Sequence, residues 1–124
     1  MDGMNVIGSR PDGWWRDRDA AVRGFVARLQ ALHATTGHAV TVVFDGRPPA
    51  GLEEGEHAGV AVRYAHRSGP DAADDRIVEL LGAADPATVT VVTSDRALTA
   101  RARRRAATVT GAGWLLSRLD EVGQ

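Results

Sequence analysis

The sequence predicts an α/β fold in which helices cover both sides of a mainly parallel central sheet. Short valine-rich segments that end at polar residues alternate with longer segments whose apolar residues recur at helical spacing. The valine-rich segments are apolar almost without interruption, which is typical of strands buried on both faces. We therefore expect a three-layer α/β/α sandwich that forms a single domain over residues 1–124.

The first residues, MDGMNVI, allow two interpretations. A sheet of this kind requires an apolar strand leading into Asp2, yet only Met1 precedes it. Either residues 1–7 form a short strand themselves, or the natural first residue lies upstream of Met1. Both interpretations place Asp2 in the first strand or directly after it.

The remaining elements follow from the alternation of the two patterns. The segment 46–59 is rich in Pro, Gly and Glu, so we expect a loop there and the most mobile part of the chain. The predicted helices are 17–34, 71–84 and 113–122, and the predicted strands are 39–45, 59–64, 88–95 and 107–111.

The composition excludes several classes of chemistry. The absence of cysteine removes disulfides, thiolate zinc sites and cysteine nucleophiles. All 15 basic residues are arginine, which counts against P-loop NTPases and Schiff-base enzymes, since both need a lysine. No apolar run is long enough for a membrane span and no leader resembles a signal peptide, so we expect a cytoplasmic protein without a membrane partner. With a net charge of −1, any nucleic-acid binding must come from a local patch.

Aspartates follow the predicted strands where ligands bind in open α/β sheets, at the carboxyl ends. Asp2, Asp45 and Asp95 occupy such positions, and Asp74 lies at the border of the apolar stripe of helix 71–84. Carboxylates held together repel one another unless a cation lies between them, and Mg²⁺ or Mn²⁺ prefers such ligands. The arrangement therefore favours metal-assisted phosphodiester hydrolysis.

A structural interpretation competes with this one at every position. A single aspartate at a strand end is usually a turn former or a helix cap. Asp45-Gly46 is typical of a turn, Asp71 after Pro70 is typical of a helix N-terminus, and Asp75 points away from the apolar stripe. The functional hypothesis depends on the acids converging in space.

Four motifs resemble the NYN domain family, in its YacP-like branch within the PIN-like nuclease superfamily. They are DGMNVIGS (2–9), VTVVFDG (40–46), DAADDRIVELL (71–81) and VTVVTSDRAL (89–98), in the family's order and at compatible spacing. The resemblance implies a PIN-like fold and a metal-dependent ribonuclease, with one relative acting on messenger RNA at the ribosome. The chain after Asp95 is shorter than in that relative.

The resemblance also implies roles for particular residues. Asp2, Asp74 and Asp95 match the acids that would bind Mg²⁺ or Mn²⁺ and carry catalysis. Asn5 and Ser94 match the polar residues that would orient ligands or substrate, and Asp75 aligns with a further acidic position.

Five arginines follow the last acid with no acidic residue between them: Arg96, Arg101, Arg103, Arg104 and Arg105. They could hold RNA phosphates beside a metal site, or they could form a solvated helix face. Similarly, Trp14 and Trp15 could stack on unpaired bases, although packing of the loop is the favoured interpretation.

Two functions are carried forward from the sequence. The first is a Mg²⁺- or Mn²⁺-dependent endoribonuclease. The alternative is a catalytically inactive module of the same fold that binds RNA or the ribosome. A general nucleotide-binding or phosphohydrolase domain is disfavoured, because the chain has neither a glycine-rich phosphate loop nor a lysine.

Overall fold

The computed structural model describes residues 1–10, 13–66, 69, 71–85, 88–105 and 107–122. These residues form five α-helices, one 3₁₀ turn at Trp14–Arg16 and five strands. In chain order the elements are α1 (Gly3–Gly8), α2 (Arg18–Thr36), β1 (Val40–Phe44), β2 (Gly55–His57), β3 (Val60–Tyr64), α3 (Ala72–Gly82), β4 (Thr90–Val92), α4 (Arg96–Arg104), β5 (Thr108–Thr110) and α5 (Ala112–Val122).

The three predicted helices and four predicted strands are confirmed, with bounds that shift by a few residues. The strand suggested for residues 1–7 is wrong, because only Asp2 makes a bridge and helix α1 starts at Gly3. Gly3 permits the chain to turn from the bridge at Asp2 directly into helix α1, since a Cβ at that position would collide with the Phe44 ring of β1. Helix α4 was expected only as one interpretation of the arginines after Asp95, because Leu98 and Ala102 are its only buried residues.

The described strands form two sheets rather than the single, mainly parallel sheet that was predicted. The first has the order β1-β3-β2, in which β1 and β3 are parallel and β2 is antiparallel, and the second pairs β4 with β5 in parallel. The first two residues connect these sheets. Asp2 bridges Val43 of β1, and its N–H donates to the Val92 carbonyl of β4 at 3.1 Å.

Strand β1 is buried on both faces and divides the hydrophobic core. Val42 and Phe44 pack in a cluster with residues of helices α1, α2 and α5. Val43 points the opposite way, into a second cluster with residues of α3, α4 and β4. This alternation explains why the strand is apolar at successive positions instead of at every second one.

The segment 46–59 is anchored more firmly than a simple loop. It contains β2, which pairs with β3, and Leu52 is buried. The Tyr64 hydroxyl donates to the Leu52 carbonyl at 2.7 Å in a buried position. Of the helices in the described ranges, none combines the length and the apolar character that crossing a bilayer requires.

Candidate acidic site

Asp2 lies at the junction of the two sheets and is almost fully enclosed. Only 6% of the residue is exposed, and its Oδ2 accepts a hydrogen bond from the Thr93 hydroxyl at 3.1 Å. Burial raises the pKa of this carboxyl above its ordinary value, and the nearby charge of Asp95 adds to the rise. The hydrogen bond from Thr93 opposes that rise, because it favours the ionised form.

Asp74 is in the first turn of α3 and is also only 6% exposed. No described residue donates a hydrogen bond to its carboxylate. Its pKa is raised from 3.8 to about 6, first by burial and then by repulsion from Asp2, Asp95 and Asp71, while Arg101 opposes the change. Its oxygens keep some contact with solvent, because they are not among the buried polar atoms that lack a partner in the described residues. A proton or a cation would still relieve the repulsion from the neighbouring acids.

Asp95 has a clear structural function as the N-cap of α4. Its Oδ1 accepts from the Leu98 N–H at 2.9 Å, which satisfies one of the free donors of the helix start. The charge of Asp95 nevertheless reaches both Asp2 and Asp74, since it raises the pKa of each. The three acids therefore share one electrostatic environment, although they come from the N-terminus, α3 and α4.

The arrangement is not a ready-made cage of three ligands. Within the described ranges, no group of three or more His, Asp or Glu side chains is placed to hold a metal ion. The role of Asp2, Asp74 and Asp95 as metal ligands stays a prediction.

Asn5 and Ser94 link the acidic site to the surrounding backbone. Asn5 Oδ1 accepts from the Ser94 N–H at 2.8 Å, which ties α1 to the end of β4. Ser94 Oγ accepts from the Ala112 N–H at 3.0 Å and thereby helps start α5. In the structure, both side-chain oxygens therefore accept backbone hydrogen bonds that connect the elements around the site. Their direct contact with substrate stays a prediction.

Sequence reasoning missed Thr93, which is the hub of the site. It is 2% exposed, and its hydroxyl donates to Asp2, lies 3.4 Å from Asn5 Oδ1 and accepts from the Asp95 N–H at 3.1 Å. One side chain thus positions two of the three acids. The sequence did contain a signal for Thr93, because it is the first residue of TSD in the motif VTVVTSDRAL. However, a threonine in a valine-rich strand is also an ordinary strand residue.

The arginines divide into two kinds. Arg101 Nη1 pairs with Asp75 at 2.8 Å and joins α4 to α3, so Asp75 has a defined partner. Arg96, Arg103, Arg104 and Arg105 are exposed. Arg96 is directly after Asp95, whereas Arg103 lies about 10 Å further along the helix axis. The exposed arginines therefore lie at different distances from the acids, and their contact with phosphates stays a prediction.

The remaining candidates have structural partners. Asp45 pairs with Arg18, and Asp71 precedes α3 with a left-handed backbone at φ 61°. Trp14 packs partly buried against the core, while 56% of Trp15 is exposed. The favoured packing interpretation thus describes Trp14 better than Trp15.

These observations define an α/β domain with buried aspartates near the strand ends. The chain belongs to the YacP-like NYN domain family, whose model matches residues 1–124. The resemblance that the motifs indicated is therefore confirmed.

Two solved structures are similar to the chain. One is Rae1 (YacP) from Bacillus subtilis, with 28% identity and a TM-score of 0.79 over 98% of this chain and 72% of that one. The other is a tryptophan-to-leucine mutant of Rae1 (YacP) from the same organism, with 24% identity and a TM-score of 0.77 over 98% of this chain and 74% of the other. No curated protein matches the chain.

Proposed function

We propose that the chain is a metal-dependent endoribonuclease that hydrolyses RNA phosphodiester bonds beside Asp2, Asp74 and Asp95. The observation that carries this proposal is the state of Asp74, a largely buried residue whose carboxylate has no described hydrogen-bond donor but reaches solvent. Asp2 and Asp95, from two other parts of the chain, raise its pKa further. Membership of the NYN family supports the choice of a nuclease.

The chemistry of the three acids fits a hard divalent cation. Mg²⁺ and Mn²⁺ prefer carboxylate oxygen, and a positive ion would relieve the repulsion that raises the pKa of Asp74. Because the described residues offer no group of three ligands, such an ion would be held by one or two carboxylates and by water. Mg²⁺ is commonly bound in this manner.

The residues around the site have separable tasks in this proposal. Asp74, with Asp2 beside it, would hold the cation, and Thr93 would fix Asp2 through its 3.1 Å hydrogen bond. A bound cation supplies activation of water and stabilisation of negative charge on the phosphoryl group. Asn5 and Ser94 would keep α1 and α5 in place around that position, and Arg96 would contact a phosphate beside it.

A cleavage assay with a matched pair of variants tests the proposal. RNA should be cut with Mg²⁺ or Mn²⁺, and cutting should stop with EDTA. Asp74→Asn should abolish cutting, because it removes the charge that attracts the cation. The neighbouring control Asp75→Asn loses a partly buried ion pair with Arg101 and should retain most activity. Unchanged cleavage by a folded Asp74→Asn variant would refute the assignment.

A non-catalytic module that binds RNA or the ribosome is the second candidate, and two observations favour it. Asp95 already has a structural task as a helix cap, and the described residues form no three-ligand set. The exposed arginines of α4 remain available for phosphates. We propose RNA as the partner in both cases, including messenger RNA on the ribosome, and a cytoplasmic location.

Binding measured in EDTA separates the two candidates. Replacing Arg103 and Arg104 by Gln should weaken RNA binding and reduce the salt slope by about 0.7 per lost phosphate contact on single-stranded RNA. Arg118→Gln is the control, since Arg118 lies over the Trp114 ring on another helix. Binding that depends on α4, in a protein that never cuts with any added divalent ion, would favour the non-catalytic module.

A further inference from the structure

A groove of about 440 Å³ lies between helices α1, α2 and α5, on the side of β1 towards which Val42 points. Its floor is apolar and is formed by Val6 and Ile7 of α1, Phe25 of α2 and Leu116 of α5. None of these four residues is more than 9% exposed, so the floor belongs to the packed core. The volume is within the range of pockets that bind small ligands.

Trp14 forms one wall of this groove. Part of its side chain packs against the core, and part of it lines the groove. The Trp15 ring meets the Trp14 ring edge-on, with 6.1 Å between the ring centroids. On another side, a Cβ at Gly8 would lie 3.7 Å from the Trp14 ring. Trp14 is therefore held by its neighbours, and the surface that it presents is of the kind on which unpaired nucleobases stack.

The rim of the groove carries more positive than negative charge. The charged residues of the described ranges that line it are Arg10, Arg16, Arg28 and Asp17. Asp120 lies 2.8 Å from Arg10 and 2.7 Å from Arg28, which holds these two guanidinium groups near each other. Asp17 is the N-cap of α2. Because guanidinium groups are the usual partners of phosphate, an apolar floor with this rim fits a ligand that is both aromatic and anionic.

The helices around the groove begin at the edge of the sheet that carries the acids. Helix α1 starts directly after Asp2, and α5 starts at the hydrogen bond to Ser94. The first residue of α2 contacts the carbonyl of Asp45, which follows β1. From this edge the groove follows α2 from Asp17 to Arg28, about 17 Å along the helix axis. It is long enough for a base together with the phosphates on either side of it.

We propose that this groove binds one unpaired nucleotide of an RNA strand that passes the acidic site. The base lies on the apolar floor and stacks against Trp14, and the flanking phosphates contact Arg16 and Arg28. The inference rests on the proposed function, because it states how the same RNA is held beside the acids. Helix α4 packs in the other cluster, so the groove and the arginines of α4 would hold the strand on both sides of the acids.

Binding of single-stranded RNA in EDTA tests the proposal on the full chain without any cleavage. The probe is a fluorescent RNA of about eight nucleotides, a length within the usual range for single-strand sites. Its matched control has the same backbone with abasic nucleotides, which keeps every phosphate and removes the bases. The parent should bind the intact RNA at least about fivefold more tightly than the abasic RNA, because only the intact RNA can stack.

Two variants with matched controls assign this difference to the groove. Trp14→Leu keeps an apolar side chain but removes the aromatic surface, and Ala20→Leu fills the groove from an exposed position on its wall. Each should weaken binding of the intact RNA by about fivefold or more and leave binding of the abasic RNA unchanged. The controls are Trp114→Leu, on a tryptophan outside the groove, and Ala34→Leu, at an exposed position further along α2. They should change neither affinity.

Equal affinity of the parent for intact and abasic RNA would overturn the proposal and would leave the groove to a protein segment. Equally tight binding of free nucleoside monophosphates would also overturn it, since the groove would then be a site for free nucleotides. So would dimers of the parent, seen by sedimentation without RNA, that Ala20→Leu dissociates, because a second copy would then fill the groove.

The same measurements separate this proposal from the proposed function. Base-dependent binding that Trp14→Leu removes, in a protein that never cuts with Mn²⁺, would contradict the nuclease and support the groove. Cutting with Mn²⁺ by a protein that binds intact and abasic RNA equally would support the nuclease and overturn the groove.

Discussion

Replacing Asp74 by Asn should stabilise the metal-free protein at neutral pH. The variant keeps the size and shape of the side chain but removes its ability to ionise. In the parent, ionisation at pH 7 places a charge where only 6% of the residue is exposed and no described group donates to it. A neutral amide avoids that charge and the repulsion from Asp2 and Asp95.

The pKa gives the size and the sign of the effect. The folded-state pKa of about 6 lies above the ordinary value of 3.8, so the folded chain binds this proton more tightly than the unfolded chain. The stabilisation is therefore complete below about pH 3.8 and is lost as the pH rises from there through about 6. At about 1.4 kcal/mol per pH unit, the loss at pH 7 is at most about 3 kcal/mol, because solvent at the carboxylate screens part of it.

Urea unfolding in EDTA at pH 4, 5, 6, 7 and 8 measures this difference. The variant and the parent should have similar free energies of unfolding at pH 4, and the variant should be more stable by up to about 3 kcal/mol at pH 7 and 8. Asp75→Asn is the matched control on the same helix. It should be neutral or destabilised by about 1 kcal/mol or less at pH 7, because it loses the partly buried pair with Arg101.

Added Mn²⁺ should make the parent more stable than the Asp74→Asn variant, which reverses their order in EDTA. The parent should gain stability with Mn²⁺ concentration, and Asp74→Asn should gain much less, because ligand binding stabilises only the state that binds it. An Asp74→Asn variant that is no more stable than the parent at pH 7 in EDTA would refute the reasoning. It would show that the Asp74 carboxylate is satisfied in solution.

Thr93→Val should destabilise the protein by about 1–3 kcal/mol at pH 7 and raise the pKa of Asp2, because the hydroxyl donor is lost. Urea unfolding measures the first effect, and an NMR titration of Asp2 measures the second. An unchanged Asp2 titration would contradict this. Gly3→Ala should destabilise by about 1–3 kcal/mol, because the new methyl group meets the Phe44 ring, whereas Gly24→Ala, with open space around it, should stabilise by about 0.5–1 kcal/mol. Equal thermal midpoints for the two alanine variants would argue against the close packing of α1 on β1. Tyr64→Phe should cost about 1 kcal/mol by leaving the buried Leu52 carbonyl without its donor, and unchanged unfolding would mean that water replaces the hydroxyl.

The periodicity of apolar residues was sufficient to predict a helix or a strand wherever burial alone decides which of them forms. Strand β1 was predictable because it packs against both clusters, and α2 because Val22, Phe25 and Leu29 lie on one buried face. Helix α4 could not be predicted from periodicity, since arginines outnumber its buried residues and only Leu98 and Ala102 reach the core. Its start is instead fixed by the Asp95 cap, which is a hydrogen bond and not a pattern of hydrophobicity.

The start of the chain could not be predicted for a different reason. The apolar pair in MNVI fits a strand or a helix equally well over so few residues. Tertiary contacts decide between them, because Asp2 is held between β1 and β4 while Gly3 must turn beneath the Phe44 ring. Sheet order, and hence the separation of β1 from β4, is likewise a property of the assembled fold.

The acids near the strand ends do not support the functional proposal equally. Asp95 caps a helix and Asp45 pairs with an arginine, so the ordinary structural explanation accounts for both. Asp74 receives no such explanation. It has no described donor, and burial together with the neighbouring acids raises its pKa to about 6. A largely buried acid whose ionised form is disfavoured, and which lies near two further acids, is typical of a binding site for a cation before the cation binds.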